Sequence, residues 1–134
     1  MFSRIREITD PYGMMLRVSV EPHPVGALVS LERSDQTDQP GVVLDCYGAE
    51  VLSGYIMAAR LAVPNPLPEE RCGGRFPSQL RLTQAPDTLI EIHQGEFGRH
   101  FEIPALFWDK LYAELCMVVA HARELGRAAV ATVH

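Results

Sequence analysis

The chain has 134 residues, 47% of them hydrophobic and 22% charged, and a formal net charge of −5. That apolar share excludes general disorder, and the length suits one domain burying roughly two-thirds of its unfolded surface. Twelve basic side chains against seventeen acidic ones, with Lys110 the sole lysine, disfavour a protein whose main task is gripping a phosphate backbone.

The lead-in, residues 1 to 13, carries no apolar core of signal-peptide length. One or two helical turns are expected there, closed by the turn signal Asp10-Pro11-Tyr12-Gly13. From Leu16 the pattern alternates, with Leu16, Val18 and Val20 on one side and Arg17, Ser19 and Glu21 on the other, as a half-buried strand requires. A second strand follows over Ala27 to Leu31 and a third over Val42 to Leu44, separated by an exposed hairpin loop from Ser34 to Gly41. Leu52, Tyr55, Ile56, Ala59 and Val63 then line one face of a helix predicted over Ala49 to Val63. Its other face is barely polar, with Glu50, Ser53 and Arg60 the clear hydrophilic groups. Pro64-Asn65-Pro66-Leu67-Pro68 ends that helix, because proline lacks an amide proton and restricts the residue before it. Residues 64 to 77 read as a linker.

The same order then returns. Leu80 to Thr83, Thr88 to Ile92 and Phe101 to Ile103 alternate as strands, and Trp108, Leu111, Tyr112, Leu115, Val118, Val119, Ala122 and Leu125 stripe a second helix that Gly126 is suited to stop. The tail from Ala128 to Val133 reads as a short strand or a frayed end. The chain is therefore read as an α+β fold, one domain spanning 1–134. Its tandem βββα repeats cover about 14–63 and 78–126 and form a six-stranded antiparallel sheet with both helices packed on one face. Leu16, Val18, Val29, Leu31, Val42 and Leu44 face the helices in the first unit, matched by Leu80, Leu82, Ile90, Ile92, Phe101 and Ile103 in the second.

Repeated antiparallel strands followed by a helix resemble the PC4 and Whirly single-strand-binding proteins, whose curved sheet carries the nucleic acid. The resemblance is one of topology and covers both repeats without a shared motif. It implies a sheet-borne site to which Arg17, Arg81 and Tyr47 would contribute. Such a surface needs a basic groove with stacking aromatics. Here the outward face sets Arg17 and Arg81 against several carboxylates, so nucleic acid is not the expected partner.

The sharpest local feature is the hairpin from Glu91 to Glu102. If His93 pairs across the strands with His100, then Glu91 pairs with Glu102 on the same side, and two imidazoles and two carboxylates converge. That donor set suits zinc or a similar divalent ion, although solvent-facing His and Glu side by side are the commoner reason for such a pattern. In the linker, Arg71-Cys72-Gly73-Gly74-Arg75 places bare amides beside two arginines, a small-anion nest without P-loop spacing. Cys46, Cys72 and Cys116 are odd in number and contain no CxxC pair, which reads as reduced thiols in a cytoplasmic protein. No nucleophile is set beside a His and an acid in a recognisable motif, so neither catalysis nor a cofactor is expected.

Outward apolar residues remain: Leu28, Val43, Tyr47 and Leu89 on strands or their ends, and Met57 and Met117 on the helices. Such residues commonly mark interfaces. The functional expectation is a small non-catalytic interaction or oligomerisation domain, a homodimer by default. Single-strand nucleic-acid binding and metal or small-ligand binding are the alternatives.

Overall fold

A computed structural model describes residues 4–23, 26–35, 40–95 and 98–131. The elements run β1 (Arg4–Thr9), β2 (Met15–His23), β3 (Gly26–Arg33), β4 (Val42–Asp45), α1 (Cys46–Ala62), β5 (Glu70–Cys72), β6 (Ser78–Thr83), β7 (Leu89–Gln94), β8 (Arg99–Pro104), a single 3-10 turn at Ala105–Phe107, and α2 (Trp108–Ala131). The strands form two four-stranded antiparallel sheets, ordered β1-β2-β3-β4 and β5-β6-β7-β8.

The expected single six-stranded sheet is therefore incorrect, although the α+β class holds. Each sheet is widened by a short strand drawn from a segment read as a connection. The lead-in forms β1, with Arg6 opposite Val18 and Ile8 opposite Leu16, where a helical turn was expected. The linker forms β5, with Glu70 opposite Leu80 and Cys72 opposite Ser78. Both are edge strands rich in charge, a composition that discourages pairing with other chains. The two sheets remain separate, and the side chain of Gln94 at the end of β7 bonds the backbone of Val43 in β4, the last strand of the first sheet.

The inward phase read from the sequence is the one observed. Leu16, Val18, Val29, Leu31, Val42, Leu44, Leu80, Ile90, Ile92, Phe101 and Ile103 are buried, while Leu82 is half-buried against the same cluster. These residues join Leu52, Tyr55 and Ile56 of α1 and Leu111, Leu115 and Val118 of α2 in one continuous core. Each such side chain contributes about 1.5–3 kcal/mol when fully buried.

The helices do not simply cover one sheet face. α1 packs on β3 and β4 and also reaches β5 and β6, whereas α2 packs against α1 and lies on β1, β2 and β3 of the first sheet. α1 starts at Asp45, whose carboxylate accepts from the Gly48 amide at 2.6 Å, and ends where Val63 N–H reaches the Ala59 carbonyl at 3.0 Å, just before Pro64. The buried Tyr55 hydroxyl donates to the Pro68 carbonyl at 3.1 Å and ties the helix to the segment entering β5. α2 is secured at its start by Trp108, whose indole N–H donates to the Ile103 carbonyl at 3.0 Å.

Gly126 does not stop α2, which continues to Ala131, so Ala128 to Ala131 are helical and not a strand. Glycine costs a helix only about 1 kcal/mol relative to alanine, which flanking residues such as Ala128, Ala129 and Ala131 can offset. The expected packing of Leu125 and the end of the tail from Thr132 lie outside the described residues. So do residues 36–39 of the first hairpin loop and residues 96–97 of the Glu91–Glu102 hairpin.

Candidate functional site

Two surfaces of different character stand out, one on the helices and one on the second sheet. On α1 the buried residues Gly48, Ala49, Leu52, Tyr55, Ile56 and Ala59 occupy one side. At helical spacing the opposite side reads Tyr47, Gly54, Ala58 and Leu61, with Met57 and Glu50 beside them, while Val51 at its border is half-buried against the core. Tyr47 is 60% exposed, Leu61 79% and Met57 40%. The one acid of that face, Glu50, pairs with Arg123 of α2, and Arg60 near the far end pairs with Asp109 at 2.7 Å. These two ion pairs link the helices near both ends and run antiparallel to one another in sequence. Met117 on the outer side of α2 is 46% exposed.

The outward apolar residues named from the sequence thus fall into two groups. Tyr47, Met57 and Met117 belong to the helical layer. Leu28, Val43 and Leu89 are half-buried on the sheets. Tyr47 lies in the first turn of α1, so it is not a sheet residue. Leu89 lines a cavity of about 700 Å³ with Tyr12, Glu102, Leu106 and the Asp10–Met14 turn.

On the second sheet, His93 stands opposite His100 and Glu91 opposite Glu102, the register expected from the alternation. The imidazole rings of His93 and His100 have centroids 4.6 Å apart, tilted by 59°. His93 Nε2 lies 3.0 Å from Glu91 Oε2, and Thr83 Oγ1 donates to Glu91 Oε1 at 3.1 Å. Burial raises the Glu91 pKa, but the His93 and Thr83 hydrogen bonds and the two nearby imidazoles outweigh it and hold the carboxyl below its ordinary range. Glu91, His93 and His100 each bring one donor atom within 4.8 Å of the others. Glu102 is outside that group and lines the 700 Å³ cavity instead.

The nucleic-acid candidates are dispersed. Arg17 lies on the first sheet and bonds Glu7 at 3.0 Å with Glu32 3.7 Å away; its Nε is buried without a hydrogen-bond partner. Arg81 lies on the second sheet, across from Glu91 and 3.8 Å from Glu69. Each arginine therefore faces carboxylates already, which lowers what it can offer a phosphate. Of the linker nest, Arg71 and Cys72 are taken into β5, while Gly74 adopts a positive φ of 95°. Arg75 and Arg99 line a cavity of about 320 Å³ with Phe76, Pro77 and Gln94.

Gln94 is the residue the sequence reading passed over. It sits in the inward phase of Ile90 and Ile92, and a polar side chain at an inward strand position is the signal that marks it. The thiols are divided. Cys72 is buried, Cys46 half-buried and Cys116 exposed. Burial pushes the Cys46 and Cys72 thiols up, which favours the inert protonated form. Among the described residues no helix is long and apolar enough to cross a membrane. Neither a protein-family model nor a curated protein matches the chain.

Proposed function

We propose that this protein is a non-catalytic interaction domain that self-associates as a two-fold dimer through the outer face of α1, with Met117 of α2 at its margin. The observation that carries the reading is the run Tyr47, Gly54, Ala58 and Leu61 along one side of a helix whose other side is already in the core. A helix apolar on both sides is covered on both sides. A second copy is the fitting cover because the face is apolar along its length and its one acid is neutralised internally by Arg123, so it calls for no oppositely charged partner. Gly54 has open space where a Cβ would stand, which lets a facing helix come close near the middle of the run. The free thiols Cys46, Cys72 and Cys116 support a cytoplasmic location for this dimer.

Sedimentation velocity across a range of protein concentrations tests the reading. The unaltered chain should shift to dimer as concentration rises, and the double variant Tyr47→Glu/Leu61→Glu should stay monomeric with an unchanged circular-dichroism spectrum. A chain that is monomeric throughout, or a dimer that survives the double substitution, rejects this interface.

A further inference from the structure

We propose that Glu91, His93 and His100 form a surface site for one divalent transition-metal ion of the zinc class. This site is independent of the helical face. His93 and His100 are direct cross-strand partners on β7 and β8, and Glu91 lies two residues before His93, so all three side chains leave the same face of the sheet. Donors around one tetrahedral zinc, at about 2.0–2.1 Å each, stand roughly 3.3 Å from one another. The Glu91 and His93 donors are already 3.0 Å apart, and the whole group lies within 4.8 Å. Rotation of the exposed His100 side chain is enough to close the remaining gap.

Thr83 Oγ1 holds the second oxygen of Glu91, as partners of a ligating carboxylate do, leaving Oε2 directed at the imidazoles. Two imidazole nitrogens with one carboxylate oxygen favour zinc, copper or nickel over calcium and magnesium, which prefer all-oxygen shells. The remaining coordination position opens to solvent and suits water.

Calorimetric titration of zinc chloride into the chelator-treated full chain tests the site, alongside thermal melts with and without the metal. One saturable equivalent per chain is expected, together with a rise in melting temperature that grows with free zinc. His100→Ala should weaken binding at least tenfold while leaving the metal-free melting temperature unchanged, because that side chain is exposed. Glu91→Gln, which keeps size and loses charge, should weaken it as well. Absence of saturable binding overturns the proposal. So does binding that His100→Ala and His93→Ala both leave intact, which would locate the ion elsewhere, or calcium binding of equal strength, which would remove the nitrogen donors from the account.

Discussion

The carboxamide of Gln94 bonds both backbone groups of Val43 in the other sheet: the Val43 amide donates to Oε1 at 3.2 Å, and Nε2 donates to the Val43 carbonyl at 2.5 Å. Nε2 also donates to Ser78 Oγ at 3.0 Å, and the Ser78 hydroxyl in turn donates to the Phe76 carbonyl at 2.9 Å. The side chain thus fills the place that the peptide group of a fifth strand would take beside β4. Gln94 and Ser78 are the buried polar residues of the structure's described part, and both serve this one junction.

Replacing Gln94 should therefore weaken the joint between the sheets more than its size suggests. Gln94→Glu, nearly the same shape, keeps an acceptor for the Val43 amide but loses both donated bonds and brings a charge into a buried position. It should cost about 1–3 kcal/mol, since the Val43 carbonyl loses its donor and a charge enters a buried position. Urea denaturation at neutral pH measures this, and a variant as stable as the unaltered chain would show the junction to be dispensable.

Asp35 should make stability fall in acid. Its carboxylate accepts two bonds from Arg33, at 2.9 and 2.6 Å, and one from the Met15 amide at 3.1 Å. The Arg33 hydrogen bonds outweigh desolvation and hold its pKa well below the usual carboxylate range. Because the folded value is depressed, the contribution is complete above the unfolded pKa of about 4 and fades as pH drops through the folded one. The pair is partly solvated, so Asp35→Asn should cost about 1 kcal/mol or less at pH 7. The melting-temperature difference between variant and parent should be constant from pH 8 to about 5 and shrink below about pH 4.

Two glycines should respond to alanine with opposite signs. A Cβ at Gly41 would collide with the Leu31 carbonyl and press on Glu32, on the neighbouring strand β3. At Gly54, exposed in the middle of α1, it meets nothing. Gly41→Ala should destabilise by about 1–3 kcal/mol, whereas Gly54→Ala should stabilise the dilute monomer by about 0.5–1 kcal/mol through helix propensity. Thermal melts at low protein concentration distinguish the two.

The thiols should label in a fixed order. Iodoacetamide should modify exposed Cys116 first, with Cys46 and Cys72 reacting at a comparable rate only after unfolding. Cys116 adjoins Met117 on α2, so its rate should also fall as protein concentration rises if the helical layer is the contact surface. Intact-mass spectrometry over time reads both effects.

The long strands were legible because their inward phase is written plainly: Leu16, Val18 and Val20, or Ile90 and Ile92, alternate with polar neighbours and are all buried. The outlying strands were not. β1 carries Arg4, Arg6 and Glu7 and buries Ile8, and β5 has three residues of which Cys72 alone is buried. An edge strand pairs through its backbone, and so little burial leaves almost no periodic trace. Missing them left six strands where the described residues form eight; that the two units stay separate sheets depends on how they pack, which no strand's alternation records. The cross-strand pairing of His93 with His100 was legible, since a period of two fixes which side chains share a face. The separation of Glu102 from that group was not, because it depends on side-chain direction and not on register.

The placement of α2 bears on the order in which this chain can fold as it is made. That helix follows the eight strands of the described residues, yet it lies on β1, β2 and β3 near the start of the sequence. Domains tend to fold from the amino terminus during synthesis. Here the inward faces of β2 and β3 lack part of their cover until residues beyond Trp108 have left the ribosome. The first half must wait, partly open, for the last helix to arrive.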